Sequence, residues 1–189
     1  MPPCHNPKGA LTSLPPCLGN GHSDASRVLY LDYVPYGHHE NMIRKLQATL
    51  SSGESLTLEF TTLCPAVHFL DMRFVLCAVP FLPRKDVRFK TDAFQRTTAP
   101  LFMSLPRVIE LVTSGSSSLV IGAVNNVSLT YAKILDSIVH DLEVDHQTMK
   151  SFVAQWGVNC WREHRLLSAW ESGLLKTGLL MRWVVVVHR

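Results

Sequence analysis

The side chains able to do chemistry are spread thinly along the chain. Arg84, Lys85, Arg88, Lys90 and Arg96 form the densest group of cations. Arg88 and Lys90 would share one face of a strand, with Phe89 on the other, because strand side chains alternate. Such a stripe can neutralise phosphates, with binding that weakens steeply as salt rises. The same stripe can equally be a solvated edge whose charges block edge-to-edge aggregation. These five residues are the candidate nucleic-acid contacts. Cys160 and His164 stand four apart and would offer two ligands from one helix face, but zinc needs three or four, and no second matched pair is visible. Asp141, Glu143 and Asp145 look like a D-x-E-x-D run, without the glycine and bidentate glutamate of a calcium loop. The chain has no G-x-S-x-G, no P-loop and no G-x-G-x-x-G. No catalytic residue is assigned and no cofactor is implied.

Composition sets the frame. The 189 residues suit a single domain with a real core. Charged residues make up only 17%, against an average of roughly 25%, so either a partner covers part of the surface or solubility is poor. The net charge of +3 permits nucleic acid or anionic lipid without demanding either. Cys4, Cys17, Cys64, Cys77 and Cys160 contain no C-x-x-C pair. Cys64, Cys77 and Cys160 read as buried thiols in a reducing compartment. The N-terminus lacks the apolar region of a secretory signal, which favours an intracellular protein. No apolar run is long enough for a transmembrane span.

The elements that would position these groups follow from periodicity. Residues 1–26 read as a disordered arm. Residues 27–34 read as a strand stopped by Pro35, Asn41 to Leu50 as a helix, and Leu56 to Phe60 as a strand. Val67 to Val79 is a long apolar run, read as a strand holding Phe69-Leu70-Asp71 and leading through Pro80 and Pro83 into an antiparallel hairpin with Asp86 to Lys90. A short helix follows Pro106, then a strand over Leu119 to Val124 and a helix over Ser128 to Leu142. Asp145 reads as the N-cap of a second helix, and a third runs from about Cys160 to Trp170. The region of Trp156, Trp161 and Trp170 supplies core or interface area.

The order Tyr30-Leu31-Asp32-Tyr33, helix to Leu50, Leu58-Glu59-Phe60, His68-Phe69-Leu70-Asp71 and Thr91-Asp92-Ala93-Phe94 resembles the palm and post-palm region of Penelope-like retroelement reverse transcriptases, over about residues 28–98. The resemblance implies a Y-x-D-D strand whose paired aspartates hold two metals for nucleotidyl transfer. Tyr33 stands where the second aspartate would be, and only 29 residues precede Tyr30, so an inactive remnant is implied.

The expected fold is therefore α+β, an antiparallel sheet with a central β-hairpin in the first half and helices mainly in the second. Residues 27–177 form one domain and residues 178–189 an apolar C-terminal tail. The expected function is a non-catalytic interaction protein with an unidentified protein partner, nucleic acid as a candidate ligand, and no small-molecule substrate. One alternative is a metal-dependent nucleotidyltransferase fragment using Asp32 and Asp71. Another is a chain without a stable fold.

Overall fold

A short strand, β1 (Arg27–Tyr30), runs into a tight 3-10 turn at Leu31–Tyr33, and Pro35 closes the segment in extended backbone. The computed structural model describes residues 27–82, 97–114 and 119–189. After β1 come α1 (His39–Thr49) and β2 (Ser55–Leu63), with Gly53 at φ 87° turning the chain between them. That left-handed backbone favours glycine, which has no Cβ to clash. Next are α2 (Met72–Ala78), α3 (Leu105–Thr113) and β3 (Val120–Asn126). Three longer helices follow, α4 (Ser128–Val144), α5 (His146–Trp156) and α6 (Val158–Lys176), before β4 (Leu180–His188).

The four strands form one sheet in the order β1-β2-β4-β3. β1 and β2 are parallel, while β4 runs antiparallel to both β2 and β3. The sheet is thus mixed, correcting the antiparallel expectation. The physical reason lies in the connection: a helix between two strands lets the chain re-enter in the same direction. α1 and α3 fall where helices were expected, and α2 adds one where a strand was expected, so the helices are not confined to the second half.

Alternation along β2 and β4 splits the core between the two faces. Leu56, Leu58 and Phe60 face α1 and α3 together with Val185 and Val187. Leu58 and Phe60 are fully buried, each burial stabilising the fold by about 1.5–3 kcal/mol. Gln47 on α1 donates to the carbonyls of Leu111 and Val112, fastening α1 to α3. On the opposite face, Leu180 meets Ala132 and Leu135 of α4, Leu174 and Leu175 of α6, and Cys77 and Phe81.

The hairpin centred on Phe69-Leu70-Asp71 is not formed. Asp71 is an N-cap whose carboxylate accepts the Arg73 amide at 2.8 Å, and the apolar run behind it winds into α2. Asp86 to Lys90, the other arm of that hairpin, lies outside the described residues, as does the arm at 1–26. The apolar residues read as a C-terminal tail are β4, the strand between β2 and β3. Other local readings hold: Asp145 caps α5 by accepting from the Gln147 amide, and α3 begins with proline in its first turn.

Candidate functional site

In open sheets with parallel strands, ligands bind beyond the strands' carboxyl ends. At the end of β1 the 3-10 turn buries Leu31 and Asp32 and leaves Tyr30 and Tyr33 half-buried. Their rings meet edge to face, with centroids 6.4 Å apart. Tyr36 follows three residues later, edge to face with His39 at 5.8 Å and with Phe102 at 6.4 Å. His39 is buried, and its Nε2 bonds the Leu31 carbonyl at 3.1 Å. Thr97 ties the same turn from the other side: its amide donates to the Asp32 carbonyl, and its hydroxyl to the carbonyls of Asp32 and Val34.

Asp32 of the same turn belongs to a buried ion cluster. Thr61 and Arg182 are directly opposite across β2 and β4, so their side chains share a face. The Asp32 carboxylate accepts the Thr61 amide at 2.7 Å, the Thr61 hydroxyl at 2.9 Å and Arg182 Nη1 at 2.5 Å. Arg182 Nη2 donates to Glu59 at 3.2 Å. The guanidinium carbon sits 4.9 Å from the centroid of the Tyr131 ring. Asp32, Glu59 and Arg182 are 1%, 6% and 4% exposed. The cluster joins the end of β1, two central strands and α4. Ser128 adds a tie by accepting the Arg182 amide at 2.9 Å.

Two concavities adjoin this edge. A cavity of about 160 Å³ opens between Leu31, Tyr36, His39, Glu40, Met103 and Arg107. A shallower one of about 540 Å³ lies between Cys64, Ser128, Lys176, Thr177 and Met181.

The two carboxylates proposed for a metal are used otherwise. Asp32 is engaged by Arg182 and Thr61. Asp71 is held by Arg73, whose Nε and Nη2 reach it at 2.7 and 2.5 Å. These bonds hold the Asp71 carboxyl below its ordinary pKa. Among the described residues no group of three or more His, Cys, Asp or Glu is placed to hold a metal. The ring of His164 stacks on Phe152 at 5.4 Å, and Cys160 is buried. Burial pushes the Cys77 thiol up to about 11, and Cys64 is only half-buried. Arg84, Lys85, Arg88, Lys90 and Arg96 lie outside the described residues. Trp161 donates to the Leu142 carbonyl and Trp170 to the Leu76 carbonyl.

Sequence reasoning missed Glu59, Arg182 and the tyrosines as a group. A signal existed for three of them. Tyr30, Tyr33 and Tyr36 recur every three residues in the sequence, and the structure places them at the end of β1, in the first 3-10 turn and at the start of a second turn. Tyr131, the fourth and last tyrosine of the chain, reaches the same place through Arg182.

No protein-family model matches the chain, and no curated protein matches it by sequence. Solved structures do match by shape. The mycolic acid cyclopropane synthase CmaA1, in complex with SAH and CTAB, superposes with a TM-score of 0.60 at 11% identity, over 86% of this chain and 55% of that one. The cyclopropane synthase MmaA2 from Mycobacterium tuberculosis gives 0.59 at 11% identity, over 86% and 55%. The Haemonchus contortus phosphoethanolamine N-methyltransferase 2, with phosphomonomethylethanolamine and S-adenosylhomocysteine, gives 0.55 at 12% identity, over 88% and 34%. The chain spans little more than half the length of these cyclopropane synthases. The described part of this chain shares its fold with these solved structures. This overturns the reverse-transcriptase resemblance and the nucleotidyltransferase alternative drawn from it. The expectations of a non-catalytic chain and of no small-molecule substrate find no support in these neighbours, which are enzymes, some solved with a small-molecule ligand. Among the described residues no helix is long and apolar enough to cross a membrane.

The tyrosine faces can attract a cation. The carboxylates nearby are already used. Asp32 and Glu59 are both engaged by Arg182, and the chain has no G-x-G-x-x-G.

Proposed function

We propose that this chain is a unit of a methyl-transfer enzyme, and that it receives the methylated, cationic end of a small molecule at Tyr30, Tyr33 and Tyr36. The observation that carries the reading is the position of these rings at the carboxyl end of the parallel strand pair. The methyl donor supplies an electrophilic methyl carbon on a positively charged sulfur. The chain's own contribution is orientation and electrostatics. Electron-rich ring faces hold the cation without hydrogen-bonding to it. The Asp32–Arg182 bond keeps the 3-10 turn at fixed height above the sheet, so the rings are presented in one arrangement.

The test is NMR titration of the 189-residue chain with trimethylsulfonium and with S-adenosylmethionine. Both should shift tyrosine ring signals. Tyr33→Leu should weaken binding about 2–30-fold, the range of one cation–π contact. Absence of tyrosine shifts with either cation, or unchanged affinity in Tyr33→Leu, would sink the reading.

A further inference from the structure

We propose that the cavity between α1 and α3 binds a neutral single-ring aromatic molecule bearing a hydroxyl, and that His39 recognises the hydroxyl, independently of the methyl-transfer reading. The cavity holds about 160 Å³. A dry apolar cavity of about 150 Å³ takes benzene, so the space suits one ring with a small substituent. Leu31, Ile43, Met103 and Val108 are buried around it, and Leu111 is half-buried. The thioether of Met103 suits contact with a ring edge. The Tyr36 ring, also in the wall, offers an aromatic neighbour.

His39 supplies the polar contact. It lines the cavity and is 4% exposed. Its Nε2 meets the Leu31 carbonyl at 3.1 Å. A carbonyl can only accept, so the hydrogen is on Nε2, and the neutral ring presents a lone pair at Nδ1. Among the described residues nothing hydrogen-bonds to Nδ1. A buried acceptor left without a donor is costly, and a ligand O–H at Nδ1 removes that cost. The ionic groups of the cavity are already matched. Arg107 pairs with Glu110 at 2.7 Å and stands 3.8 Å from Glu40, which Arg44 holds at 2.6 Å. With no unmatched charge on offer, the site favours a neutral ligand over an ion.

The test is NMR titration of the full chain, isotope-labelled at the histidine nitrogens, with phenol and with toluene, a near-isostere that has no donor. Phenol should move the His39 Nδ1 resonance. Toluene should leave it in place while shifting the methyl signals of Ile43 and Met103. His39→Gln keeps an N–H for the Leu31 carbonyl and puts no nitrogen in the place of Nδ1. The phenol-to-toluene affinity ratio should therefore fall about 2–10-fold in that variant, the worth of one hydrogen bond. Three results would overturn the proposal: no phenol binding, an Nδ1 resonance that phenol leaves unmoved, or the same affinity ratio in His39→Gln. The Nδ1 resonance decides the matter even where His39→Gln fails to fold. Sulfonium binding at the tyrosines without phenol binding would sink this proposal and leave the methyl-transfer reading standing.

Discussion

Asp32 and Asp71 make the same kind of bond in opposite surroundings. Each accepts a backbone amide and an arginine guanidinium, and each closes a turn. Asp32 does so with 1% of its surface exposed and with a partner 150 residues away. Asp71 does so in solvent, with a partner two residues away. The distant pair fixes how β1, β2 and β4 sit together. The local pair shapes one short helix and ties nothing else to it. The hydrogen-bond lengths are nearly the same, so length does not rank the two. What ranks them is what each bond excludes from water and how much chain it joins.

The largest effect should come from Arg182. Arg182→Ala takes the guanidinium away from buried Asp32 and Glu59, and removal of one partner of a buried pair costs about 3–5 kcal/mol. Urea denaturation would measure it, and a loss below about 1 kcal/mol would equate the buried cluster with a surface pair. Asp32→Asn is milder, because Arg182 keeps Glu59 and the amide oxygen can still accept from Thr61. We expect about 1–3 kcal/mol, together with weaker binding of a methylated cation as the tyrosine turn loosens. If Asp32→Asn costs as much as Arg182→Ala, Glu59 contributes nothing as a partner.

The part of the site legible in sequence was local. Asp145 was readable as a cap, and α4 and α6 were readable from periodicity, because those signals lie within one or two turns of helix. The Asp32–Arg182 pair was not, since nothing near Asp32 marks a partner at the far end of the chain. The parallel pairing of β1 with β2 was present in the strand–helix–strand order of residues 27–63 but was not used. Val184 to Val187, four β-branched residues in succession, carried the mark of a strand buried among others; their closeness to the chain's end masked it. The run from Val67 to Val79 failed for a different reason. An unbroken apolar stretch has no period, so strand and helix cannot be told apart by pattern, and the deciding feature was Asp71 followed by helix-compatible residues.

The two cysteines near that helix sharpen the contrast between inside and outside. Cys77 is fully buried, with its thiol pushed up to about 11 by burial, while Cys64 is half-exposed. Near pH 8 iodoacetamide should label Cys64 while sparing Cys77, since the thiolate is the reactive form. Mass spectrometry after brief labelling reads this directly. Rapid labelling of Cys77 would mean that α2 opens readily from the body of the fold.

The smallest effect belongs to Asp71. Its hydrogen bonds to Arg73 hold its carboxyl below the ordinary value of about 3.9. A carboxyl depressed in the folded state stabilises above that ordinary value, and the stabilisation is lost as pH falls through the lower, folded value. The protection of α2 amides, corrected for the pH dependence of intrinsic exchange, should therefore be constant at neutral pH and should fall only once pH drops below the usual carboxylate range. Asp71→Asn should remove that acid-triggered step, because an amide has no proton to gain, and leave global unfolding almost unmoved. A global loss comparable to that of Asp32→Asn would mean that the α2 turn is coupled to the sheet after all, and the two aspartates would then differ in exposure but not in consequence.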